Sequence, residues 1–399
     1  MHARANMDRQ RDDDAVRWAG KAMALGRQLG LDGVVSDAGT TLAWLQDRAG
    51  NPAESLLALQ TISAKARADG DVMAELRSLD HLGGLHFTAG RFVEALDVYQ
   101  RATARAETLG RPWAPYGLDV RLMGGLTAYF MGDWSTAQTI VDVTGQSPSA
   151  MAEAALAAVG MSVSAGRGDT SALELLPHLR SWWGRDGMIA VLAAGAAIDL
   201  YGDQGDVESA LDMHDAVVEA VSDLWQIKAF QARIRLSALV LGHLANRATR
   251  LGASERQHLT TRADELLAAA TEAFDHHDQM RLVGPESVAW ARRVTAEHTR
   301  LRWLVGVDPV DEELLLTAWQ QTAAAFERLG HVFEVARSQA RLAGVLRAMG
   351  RDREARALTS QARRRLSAWV PSRCLASSSL FGRPHRHRVA AKQTHATGN

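Results

Sequence analysis

A single cysteine, Cys374, serves the whole chain of 399 residues. No internal disulfide can form, and a reducing cytoplasm is the compartment that suits such a chain. Proline is also sparse, nine in all, which removes the usual interruptions to helix. No run approaches the roughly 18 uninterrupted apolar residues of a membrane span. The opening MHARANMDRQRDDD lacks the apolar core of a secretory signal. Valine and isoleucine do not gather into alternating strand patterns. Catalytic signatures are missing too: there is no H-E-x-x-H and no G-x-S-x-G. The one Gly-Lys pair, Gly20-Lys21, is followed by alanine and lacks the earlier glycine of a phosphate loop. With 47% hydrophobic residues and a net charge of −1, the expectation is a folded, soluble, helix-rich protein that does no chemistry. No catalytic, cofactor-binding or metal-binding residue is assigned.

A repeated gesture is present instead. AGRFVEALDVYQRA from Ala89 is echoed by AGNPAESLLALQ, MGDWSTAQTIV, QGDVESALDMH and MGRDREARALT. The copies align on a small residue: Ala15, Ser55, Ala95, Ala137, Ala172, Ala210 and Ala355. A glycine sits ahead of it at Gly50, Gly90, Gly132, Gly205 and Gly350, and another follows at Gly30, Gly70 and Gly110. A period near 40 with two helical segments per period marks a helical solenoid. The leading glycine ends a first helix in the left-handed conformation. The small residue then sits where the second helix crosses the first, a place where a long side chain would overpack. HLGGLHFTAGRFVEALDVYQRA resembles the tetratricopeptide pattern, with His86 in its tyrosine position and Ala95 and Tyr99 in place. The fold expected is all-α, a right-handed TPR-like superhelix of about eight helix pairs. Between Gly242 and Gly350 the register is looser, with a turn expected at Val307-Asp308-Pro309.

The domain plan that follows has three parts: a disordered or frayed N-terminus (1–14), a TPR-like helical-repeat domain (15–370) and a disordered basic tail (371–399). Ala15 opens a second helix whose partner would have to come from residues too polar to cover Trp18, Leu25 and Leu29. From Arg351 onward eleven basic residues face two acids, which leaves the first 350 residues acidic.

Other clusters have plain structural explanations. His276, His277 and Asp278 are adjacent on one helix, so they diverge and chelate poorly. The His385 to His387 run lies in the tail, as does Cys374, which has no structured base nearby. Trp182, Trp183, Trp290, Trp303 and Trp319 could line a groove, but their helical spacing is that of core. Asp352 and Arg356 are a surface pair at helical spacing. The arginine-rich tail could touch phosphates, in which case affinity would fall steeply with salt.

The segment from Val288 to Leu358, with its AEHTRL helix, VGVDP link, AAAFERLG helix end and ARSQARLAGVLRAMGRDREA run, resembles the end of the helical-repeat region in large LuxR-type, MalT-like transcriptional regulators. The resemblance extends over most of Ala15 to Leu366. It implies a region that senses a small-molecule inducer or a protein partner and couples an N-terminal ATPase to a C-terminal helix-turn-helix. The chain departs from that family in lacking both flanking modules. DNA contact would need a helix-turn-helix that this sequence does not carry, and the expectation is the sensor-scaffold section of such a regulator, truncated or frame-shifted near residue 370. The alternative is a stand-alone adaptor that docks a peptide or protein.

Overall fold

Aspartates start the helices and glycines stop them. Asp71, Asp133, Asp186 and Asp206 each accept a hydrogen bond from the backbone N–H three residues on. This satisfies one of the donors orphaned at a helix N-terminus. Glycines of both registers take positive φ, as at Gly90 (+73°) and Gly70 (+72°). A computed structural model describes residues 11–248, 251–306 and 310–367. Among them are seventeen α-helices and no strand.

Helix α1 is Asp12–Leu29. Eight pairs follow: α2 (Asp32–Arg48) with α3 (Pro52–Asp69), α4 (Val72–Thr88) with α5 (Phe92–Thr108), α6 (Pro115–Met131) with α7 (Trp134–Val141), α8 (Ala150–Arg167) with α9 (Leu176–Arg180), α10 (Gly187–Gln204) with α11 (Val207–Trp225), α12 (Ala232–Ala248) with α13 (Ala253–Gln279), α14 (Pro285–Val305) with α15 (Glu312–Leu329), and α16 (Val332–Ala348) with α17 (Asp352–Ser367). Sequence neighbours pack against one another throughout. The aligned small residues are where helices meet: Ala15, Ser55, Ala95, Ala137, Ala210 and Ala355 are fully buried.

Three expectations need correction. Asp12, Asp13 and Asp14 belong to the first turn of α1, where negative charge complements the positive end of the helix dipole, so fraying does not extend to residue 14. The copy containing Ala172 has no long second helix: Thr170–Leu175 is a 3-10 turn and α9 is five residues long. Pro177, at the start of α9, lacks the N–H needed to continue a helix through it. Helix α7 is also short. Arg121 caps its C-terminal end, donating to the Ile140 and Asp142 carbonyls at 2.7 and 2.8 Å. The turn at Val307-Asp308-Pro309, Cys374 and the tail from 371 lie outside the described residues.

The stack also closes on itself. The turn before α16 meets the turn before α5. A Cβ on Gly90 would lie 3.2 Å from the Leu329 carbonyl oxygen, and one on Gly330 would lie 3.2 Å from the Phe92 ring. His331 stacks on Phe130 at 4.3 Å between ring centroids, and Phe333 packs edge-on to Trp134 at 5.3 Å. Two pairs near the front of the chain thus touch the last two.

Candidate functional site

Closure brings the first helices of several pairs together around a charged seam. Arg337 on α16 grips Asp199 on α10 with two hydrogen bonds, 2.7 and 2.9 Å. His243 on α12 adds a third contact to Asp199 at 3.1 Å. Arg293 on α14 pairs with Glu334 on α16. One turn along α14, Glu297 pairs with Arg300 at 2.7 Å, and Arg300 also donates to the Gly242 carbonyl at 2.9 Å. All of these residues but Asp199 are buried.

Burial by itself would raise the Asp199 carboxyl, but Arg337 and His243 hold it well below its usual range. Glu297 shows the same balance: burial raises it, and Arg300, Arg341 and Arg293 together bring it below the ordinary value. Arg341 is pushed down to about 9 by burial and by the like charge of Arg300. The seam fixes the mutual register of four pairs. Its acids and bases pair with one another.

Beside the seam lies a cavity of about 940 Å³. Its floor is apolar and comes from separate repeats: Phe87 of α4, Met123 and Phe130 of α6, and Val191 and Leu192 of α10. The end of α11 supplies Trp225 and the segment joining it to α12 supplies Phe230, and the two rings meet edge to face at 5.7 Å. Trp225 and Met188 are 47% and 40% exposed and form the mouth. Gly187 makes this possible, since a Cβ there would lie 2.2 Å from the Trp225 indole. Gln226, also at the mouth, holds φ at +54°.

Gln226, Gln231, Ser287 and His277 line this space, and with them stand an arginine, a carboxylate and an indole N–H. Arg235 of α12 lies over the Trp290 ring at 5.6 Å from its centroid, and Arg293 lies 5.2 Å from that same ring centroid. Trp290 therefore joins the cavity to the seam. Glu286, at the start of α14, is pushed up by burial and drawn back by Arg235. The Trp290 indole N–H lies beside that carboxyl but outside hydrogen-bond geometry.

The residues singled out from sequence are dispersed. Trp183, Trp290 and Trp319 are buried and Trp182 and Trp303 half-buried, and of the five only Trp290 lines the cavity. His276 and His277 are 5.5 Å apart with rings at 82°. His277 lines the cavity and is bonded through Nδ1 to the Ala273 carbonyl at 2.8 Å. His276 faces a separate outer groove between α13 and α14, and Asp278 is exposed. That groove is lined by acids, with Asp264 bound to His298 at 2.6 Å. Among the described residues no group of three or more His, Cys, Asp or Glu could hold a metal ion. No helix of the described residues is long and apolar enough to cross a membrane.

Arg235, Glu286, Trp225 and Phe230 escaped the sequence analysis. The one available signal was Gly187 beside the polar run Arg185-Asp186, a helix start with room for an overlying ring. A second surface extends the apolar face of Trp18, Leu25 and Leu29 to Leu31. On α1 and the start of α2, Trp18, Leu25, Leu29 and Leu31 are 39–59% exposed.

No family model matches the chain, and no curated protein matches it.

Proposed function

We propose that this protein is a non-catalytic, TPR-like scaffold that takes up an effector in its inner cavity and relays occupancy to a protein partner. The carrying observation is that one cavity of about 940 Å³ is walled by helices from five of the eight pairs. A ligand there touches elements far apart in sequence, so it can favour one arrangement of the stack over another, which is the physical content of a coupling element. The stretch that resembles the end of the LuxR-type sensor region contributes Trp290 to the cavity and Arg293, Glu297, Glu334 and Arg337 to the seam. That placement supports assigning the chain to the sensing section of such a regulator.

The test is a thermal-shift screen of small molecules on the wild-type chain and on Val191→Trp, which fills the cavity. Effectors should raise the melting temperature of the first and not of the second, with circular dichroism confirming that both are folded. Hits that shift both proteins equally would refute cavity binding. The purified chain should neither hydrolyse ATP nor bind a promoter at physiological salt, and salt-tolerant binding to one DNA sequence would overturn the assignment.

The exposed face of Trp18, Leu25, Leu29 and Leu31 favours a second reading, an adaptor that docks a protein at that end. In a pull-down, Leu25→Glu with Leu29→Glu should then release the partner while leaving effector-induced thermal shifts intact.

A further inference from the structure

The cavity's walls and its charges impose different requirements on an occupant. The walls are aromatic and aliphatic, so the body of a ligand must be apolar. The charges are less evenly matched. Arg293 and Arg337, the guanidiniums of the adjoining seam, are each paired with a carboxylate, Glu334 and Asp199. Arg235 is not: among the described residues no carboxylate lies within 4 Å of it, and its buried Nε has no hydrogen-bond partner. A guanidinium offers five N–H donors in a planar fork that matches a carboxylate. The Trp290 N–H is a second buried donor without an acceptor, and Arg235 lies over its ring. Glu286 is the one acid in the wall. It makes no ion pair with Arg235 at 4 Å or less, and burial drives it toward its neutral form. Buried donors left without an acceptor are costly, and Arg235 and Trp290 both line the cavity.

From this we infer that the cavity binds a hydrophobic organic acid, its apolar body among Phe87, Phe130, Trp225 and Phe230 and its carboxylate on Arg235. The inference rests on the effector reading of the cavity above and specifies the ligand class.

Three probes that share one body separate the possibilities: phenylbutyrate, phenylbutanol and phenylbutylamine. Each is titrated into the full chain, followed by calorimetry and by tryptophan fluorescence, since Trp225 and Trp290 line the space. The acid should bind at least about tenfold tighter than the alcohol, the contrast expected of a charge-assisted hydrogen bond. Arg235→Met should erase that contrast and leave the alcohol's affinity unchanged. Arg235→Lys should restore part of it. Glu286→Gln should preserve or strengthen binding of the acid. Arg235 makes no ion pair within 4 Å that its loss would orphan, and unchanged circular dichroism and melting temperature would show that its variants fold. Equal affinity for acid and alcohol, or a preference for the amine abolished by Glu286→Gln, would overturn the carboxylate assignment while leaving the cavity a ligand site. Failure of all three probes to bind would sink the inference together with the effector reading.

Discussion

The front of the molecule, α2 to α5, and its rear, α10 to α16, are built from the same paired helices but held together differently. In the front, ion pairs join sequence neighbours: Arg77 to Asp37 at 2.7 Å and Arg105 to Glu75 at 3.0 Å. Asp37 is 43% exposed, so water shares its charge. In the rear, Arg337 and Asp199 meet across 138 residues, both largely buried, within a lattice that adds Arg293, Glu334, Glu297 and Arg300. The front behaves as a one-dimensional stack, whose stability is a sum of units and interfaces. The rear is a block whose parts stand or fall together. A cavity for an effector belongs in the block, because only there does one ligand reach many repeats.

The largest effect should come from removing a carboxylate. Asp199→Ala strands Arg337 and His243 in the interior and should destabilise the protein by about 3–5 kcal/mol, while Asp37→Ala in the front should change stability by at most about 1 kcal/mol. Denaturant unfolding of the two variants measures both, and equal losses would erase the distinction between regions.

Next in size is overpacking. Ala95→Leu places a long side chain at the fully buried crossing of α5 and should cost about 1–3 kcal/mol. Hydrogen exchange should show the loss confined to the front.

The two regions should also answer acid in opposite senses. His331, in the rear, is held well below its ordinary 6.5 by burial and by Arg235, Arg293 and Arg337. Below pH 6.5 the unfolded chain takes a proton that the folded rear refuses, so stability falls by about 1.4 kcal/mol per pH unit for that group. On α4 of the front and the adjoining α6, burial and its neighbour Asp119 raise Asp80 to about 7, and burial and Asp186 raise Asp119 to about 6. At those two carboxyls the folded chain holds protons that the unfolded chain has released, so their contribution to stability rises as pH falls from 7 toward 4, opposed in part by His86, which burial holds below its ordinary value. Region-resolved hydrogen exchange at pH 7 and pH 5 would show protection moving in opposite directions, and parallel movement would contradict both assignments.

The smallest difference lies in the turns. Gln226→Gly at the cavity mouth relieves a left-handed residue and should stabilise by up to about 1 kcal/mol. Gly90→Ala should destabilise, because its φ is +73° and the Leu329 carbonyl is close. Melting temperatures of the pair are the readout.

What the sequence reveals and conceals follows the same division. Gly90, Ala95 and Gly110 announce a helix end, a crossing and a second end because such constraints are local and recur with the period. The breakdown near Ala172 was hidden by its correct small residue, although Pro177 was in view. Closure was not legible at all. His331 meets Phe130 because small rotations between pairs accumulate over many repeats, and no single residue encodes that sum. Arg235 and Glu286 look in sequence like any charged residues on a helix, and only curvature turns them inward.

The contact between the turns at Gly90 and Gly330 makes the molecule a clasped loop with loose ends. Under mechanical tension applied at the termini, helices outside the clasp, α1 to α3 and α17, would peel away in short steps at low force. The enclosed segment would bear no load until the clasp parted, and would then lengthen abruptly in one long rupture.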